Sequence, residues 1–212
     1  HHGFFLRNIE DRNCLEQIVC GPFVNTSRYN FVQPDFCERI VSDTKGKPGS
    51  LPFLSQILRK MWENRDLSDY DGKLCIAGYE ALGGIEGVLN KLFEDAYRDA
   101  INIETQERQA RFVKTGNVAN SILVQLAKND RTGASYIRNI VSAKQLMTSY
   151  CLSEKTLRKL INPFEVSRLF VISKLEDKED DYNIEISHES IYSAQIYRKI
   201  LTDNEDVLRC RE

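Results

Sequence analysis

The sequence is short of the residues from which most catalytic and metal sites are built. Of its 212 residues only three are histidine. His1-His2 read as a tag remnant, which leaves His188 as the one internal imidazole. A Ser-His-Asp or Cys-His arrangement would have to use it, and no G-x-S-x-G stretch accompanies it. The six cysteines (Cys14, Cys20, Cys37, Cys75, Cys151 and Cys210) are irregularly spaced and form no C-x-x-C pair. Zinc-ligand spacing is therefore missing, and a disulfide framework is not expected. Scattered reduced thiols point to the cytoplasm. No apolar run approaches the ~20 residues that cross a bilayer. A net charge of −2 supplies no bulk attraction for nucleic acid or an anionic membrane. No G-x-x-x-x-G-K-[ST] stretch is present, so nothing here cradles phosphates as a Walker A loop does. No residue is assigned as catalytic or as a metal ligand, and hydrolysis by this chain alone is not expected.

The rest of the composition is that of a folded protein rather than a disordered one, with 42% hydrophobic and 28% charged residues. The periodicity is mostly helical. Leu15, Ile18 and Val19 give one face to a helix over 9–20, which Gly21-Pro22 should stop. A short helix over 35–42 follows Pro34. The clearest helix covers 51–64, where Leu51, Leu54, Ile57, Leu58, Met61 and Trp62 recur at three and four. Its Pro52 falls in the first turn, where a missing N–H costs nothing. A loop-rich connector over 67–84 leads to an amphipathic helix over 85–101, with Val88, Leu89, Leu92, Phe93 and Ala96 inward. Two further helices, 104–113 and 118–128, and a turn at 129–133 come next.

The pattern then changes. A short helix over 153–161 ends at Asn162-Pro163, a second helical piece covers 164–168, and 169–172 is dense in strand formers. Residues 182–186 alternate as a returning strand after a charged loop, and 188–201 form a last helix. Helix, helix, hairpin is the order of a winged helix. The expected fold is mainly α, a helical bundle over 3–102 followed by a winged-helix domain over 103–212 with one small β-hairpin.

Two places suit a nucleotide. Ser187 is a good N-cap for the last helix, which puts His188 in its first turn, where unpaired N–H groups and the dipole favour a phosphate. The bland alternative is a capping serine beside a histidine that binds nothing. Pro52 offers a flat apolar ring at a helix start, on which a purine could rest, or is simply a first-turn proline. DNA is a third reading, since 153–161 carries Lys155, Arg158 and Lys159. The wing beside it, 176–181, holds five acids and one lysine, which a DNA backbone would repel.

The order of motifs resembles a subgroup of the STAND NTPases, signal-transduction ATPases with numerous domains. Pro48-Gly49-Ser50-Leu51-Pro52-Phe53-Leu54 through Leu58 to Trp62 is similar to its P-G-x-L-P-L-L helix. Tyr79-Glu80-Ala81-Leu82-Gly83-Gly84-Ile85-Glu86-Gly87 is similar to Y-x-x-x-G-G-[IV]-x-G, and Ile186-Ser187-His188-Glu189-Ser190-Ile191 to [IV]-x-H-E-[AS]-[LI]. Leu15 to Pro22 also fits an earlier helix of the family that ends in G-P. Where the subgroup places tryptophan seven residues after the histidine, this chain has Gln195. The resemblance implies a switch closed with ADP and assembling with ATP. It implies that Pro52 touches the adenine side and His188 the β-phosphate, and that the chain is the part following a P-loop domain. ADP or ATP would then be the cofactor of the whole protein, bound at most weakly by this part. Its partners would be the upstream P-loop domain and downstream sensor or effector domains. A winged-helix DNA-binding regulator and a nucleotide-independent scaffold, docking partners on the face of 51–62, stay open as alternatives.

Overall fold

In a computed structural model of the chain, the described residues are 12–24, 32–45, 50–64, 73–111, 117–130, 132, 135–174 and 181–210. The protein is mainly α, with small antiparallel sheets. It divides into two compact units, His1–Leu89 and Asn90–Glu212.

The first unit holds α1 (Arg12–Val24), α2 (Pro34–Thr44), α3 (Ser50–Asn64) and α4 (Ile76–Ala81). Leu15 and Val19 of α1 are buried, but Ile18 is 40% exposed and leaves the expected face. The helix also runs on through Gly21-Pro22. A proline this close to the C-terminus forfeits one bond in a turn that is already ending. Pro34 opens α2 at its first turn. Leu54, Ile57 and Met61 form the buried face of α3. Cys20 of α1 and Cys37 of α2 are joined by a disulfide, with Cα atoms 6.2 Å apart. That corrects the expectation of six reduced thiols, because the pairing depends on how two helices pack and not on cysteine spacing.

The connector expected over 67–84 contains α4. The Cys75 side chain caps it, its sulfur accepting from the Gly78 N–H at 3.3 Å. Val32 and Leu74 bridge in parallel beside it. From there α5 (Gly84–Arg111) runs as one helix, where two were expected, and passes from the first unit's residues into the second's.

The second unit continues with α6 (Val118–Gln125), β1 (Ala127–Asn129), β2 (Tyr136–Arg138), β3 (Val141–Ser142), α7 (Ala143–Tyr150), α8 (Glu154–Val166), β4 (Phe170–Lys174) and β5 (Tyr182–Ile186). A 3₁₀ turn (Glu189–Ser193), α9 (Gln195–Thr202) and α10 (Glu205–Arg209) complete it. Two sheets are present rather than one hairpin. β1 pairs β2, and a second antiparallel sheet has the order β3-β5-β4. The alternation over 182–186 is real: Tyr182, Ile184 and Ile186 are buried, and Asn183 and Glu185 are not. α8 is unbroken through Asn162-Pro163, so the two expected helical pieces are one helix.

The helix before α8 is α7, which begins after Ser142. That serine accepts from the Gln145 N–H at 3.1 Å, the first half of an S-x-x-Q capping box. At the start of α6, the buried Glu104 carboxylate accepts from the N–H groups of Val118 (2.9 Å) and Ala119 (3.0 Å). These bonds satisfy donors that a helix start otherwise leaves unpaired.

An aromatic chain crosses this unit. Ring centroids step from Tyr136 to Tyr192 (5.8 Å), Tyr197 (5.3 Å), Phe93 (5.0 Å), Phe164 (5.6 Å) and Phe170 (4.6 Å). It connects the β1-β2 hairpin to α9, α5, α8 and β4. The buried Tyr197 hydroxyl donates to the Leu123 carbonyl at 2.8 Å, and burial drives its pKa well above the ordinary tyrosine range. Among the described residues, no helix is long and apolar enough to cross a membrane.

Candidate functional site

The segment around His188 begins where β5 ends. The Ser187 N–H donates to the Leu169 carbonyl at 2.8 Å, which prolongs the pairing with the chain entering β4 by one residue. Ser187 is therefore not the N-cap expected of it, and its Oγ is buried with no hydrogen-bond partner among the described residues. His188 takes the capping position, with extended backbone (φ −158°, ψ 146°). A five-residue 3₁₀ turn comes next, and only from Gln195 does the chain become α-helical.

This overturns the expected geometry of a phosphate resting on a long helix terminus. The Ser190 N–H, which would have faced the anion, donates to His188 Nδ1 at 3.1 Å. The same bond determines the imidazole's chemistry. A neutral ring whose Nδ1 accepts carries its proton on Nε2. A quarter of the side chain is exposed. Burial pushes the His188 pKa below the ordinary histidine value; Glu189 opposes this and Arg138 adds to it.

The sign of that shift makes stability depend on pH. Between the two pKa values the unfolded chain binds more protons than the folded one. Stability from this group is complete above about pH 6.5, the unfolded value, and drains away as pH falls through the lower folded pKa. Urea midpoints measured from pH 8 down to 5 should fall faster for the wild type than for His188→Gln. Parallel curves would contradict the lowered pKa.

The surroundings are polar and anchored. Arg138 of β2 donates through Nε to Glu189 at 2.7 Å and lies 3.6 Å from Glu185 of β5. The Tyr192 hydroxyl stands 3.0 and 2.9 Å from the carbonyls of Leu126 and Ile137 and donates between them. The turn bearing His188 is thereby tied to the β1-β2 hairpin.

Pro52 lies in the first turn of α3 as expected, and its side chain falls outside the described residues. The second block, Tyr79 to Gly87, proves to be a tight turn. Gly83 and Gly84 have φ of +75° and +64°. The Tyr79 hydroxyl donates to Asp43 Oδ2 at 3.0 Å. Arg39, Asp43, Tyr79 and Glu80 line an open cleft of about 310 Å³ over this turn.

A family model, Novel STAND NTPase 1, matches the chain over residues 1–212. The chain belongs to the Novel STAND NTPase 1 family. Searches among curated proteins and among solved structures gave no match.

The neutral His188 imidazole's Nε2–H can give one hydrogen bond to an anionic oxygen. Glu189 beside it would repel that oxygen, and Arg138 offsets its charge. Two of the three cations that suggested DNA, Arg158 and Lys159, are engaged elsewhere. The Arg158 guanidinium lies 3.7 Å above the Tyr182 ring, and Lys159 Nζ is 2.7 Å from Glu107. Of the acidic wing only Asp181 is described. It is buried, and accepts from the N–H groups of Lys144 and Tyr182. No group of His, Cys, Asp and Glu able to hold a metal occurs among the described residues. Arg138 carries no signal in the sequence as a neighbour of the site; it stands 51 residues from Glu189, and only the hairpin brings the two together.

Proposed function

We propose that this chain is the nucleotide-sensing, regulatory part of a STAND ATPase switch, holding the ADP-bound closed state. His188 gives the β-phosphate a hydrogen bond from Nε2, and Pro52 rests against the adenine side. A P-loop domain elsewhere in the protein supplies the phosphate cradle and the hydrolysis. The order α6–β3–α7–α8–β4–β5 is read as the winged helix that carries His188. Replacement of ADP by ATP removes the His188 contact, and differential binding of the two nucleotides shifts the population toward the open state.

The observation that carries this reading is the imidazole itself. Its Nδ1 accepts from the Ser190 N–H, which leaves the neutral ring's proton on Nε2, and a quarter of the side chain is exposed. The DNA alternative loses support because two of its three cations, Arg158 and Lys159, are already engaged.

The test is the ADP affinity of the full-length protein. His188→Ala should weaken it roughly ten- to a hundredfold, the worth of one hydrogen bond to a charged acceptor. Unchanged affinity together with unchanged basal activity would sink the proposal.

A further inference from the structure

Glu189 follows the histidine directly, and its carboxylate is the nearest competitor for the imidazole donor. Its Oε2 lies 4.0 Å from His188 Nε2, too far for a hydrogen bond. A side-chain rotation could close that gap. What prevents it is Arg138, which reaches across from β2, takes Glu189 Oε1 at 2.7 Å and lies 3.6 Å from Glu185 Oε2. The hairpin is itself fastened to the turn through Tyr192, so the clamp has a fixed base.

We propose that Arg138 is a positioning residue for His188: it holds the Glu189 carboxylate off Nε2 and so keeps that N–H open to a phosphate oxygen of a nucleoside diphosphate. This rests on the nucleotide-sensing reading of His188. Two charged groups act on the imidazole, Glu189 from the 3₁₀ turn and Arg138 from β2, and Glu185 of β5 stands beside Arg138. Removing the arginine releases both carboxylates. Glu189 then turns onto Nε2, satisfies the donor internally and favours the imidazolium.

The experiment uses full-length protein with labelled histidine, following the His188 ring by NMR titration and ADP binding by calorimetry. In Arg138→Gln the His188 midpoint rises by about one pH unit, and ADP binds about tenfold more weakly. Arg138→Gln with Glu189→Gln returns both readouts to near wild type, a rescue that general damage to the fold would not give. Glu189→Gln alone lowers the midpoint and leaves ADP affinity at wild-type strength or tighter. A midpoint that stays in place in Arg138→Gln, or no rescue in the double variant, overturns the positioning role. Failure of the underlying reading is seen separately, as unchanged ADP affinity in His188→Ala.

Discussion

Phe93→Ala is expected to cost about 3–5 kcal/mol of folding stability, followed by circular dichroism in urea. Phe93 is fully buried and stands mid-way along the aromatic chain, against Tyr197 at 5.0 Å and Phe164 at 5.6 Å. Truncation removes the transfer free energy of the ring and leaves a cavity between α5, α8 and α9. Tyr197 cannot move freely into the gap, because its hydroxyl is held by the Leu123 carbonyl. Phe93→Leu keeps most of the volume and should cost less than half as much. A loss below about 1 kcal/mol for alanine, the size of a typical surface-level effect, would mean that the chain of rings does not organise this unit.

Gly87→Ala is expected to destabilise by about 1–3 kcal/mol, although alanine is the better helix former. A Cβ at Gly87 would lie 2.3 Å from the Leu82 carbonyl oxygen and 3.0 Å from its carbon. Both are backbone atoms of the turn between α4 and α5, so relief requires the turn to move. That turn already uses two left-handed glycines, Gly83 and Gly84. Gly21→Ala is the matched control, since nothing among the described residues lies within 4 Å of its added methyl in α1. There alanine should be neutral or stabilising by up to about 1 kcal/mol. Equal effects at both glycines would remove the steric account of the G-G-x-x-G spacing.

The legible part of the fold is the part governed by local chemistry. The faces of α3 and α9, the proline opening of α2 and the alternation of β5 all follow from spacing alone. Proline read as a stop fails twice, at Pro22 and Pro163, because a proline near a helix end forfeits little. The S-x-x-Q signal of α7 stands over 142–145, but the helix it opens is only eight residues long, with Ala143 and Leu146 as its buried residues. The disulfide between Cys20 and Cys37 has no sequence signal, since it depends on two helices meeting.

At the candidate site the residue is legible and its geometry is not. His188 stands out as the only internal imidazole. Its place as a cap arises because Leu169, distant in sequence, recruits the Ser187 N–H. Arg138 carries no local signal at all, and it becomes a neighbour only through the β1-β2 hairpin.

The most direct test of a nucleotide-sensing His188 is the structure of the full-length protein with ADP. The account predicts His188 Nε2 within about 3 Å of a β-phosphate oxygen, with Nδ1 still accepting from the Ser190 N–H. An Nε2 directed away from the nucleotide, or bonded to Glu189 while ADP is bound, would contradict it.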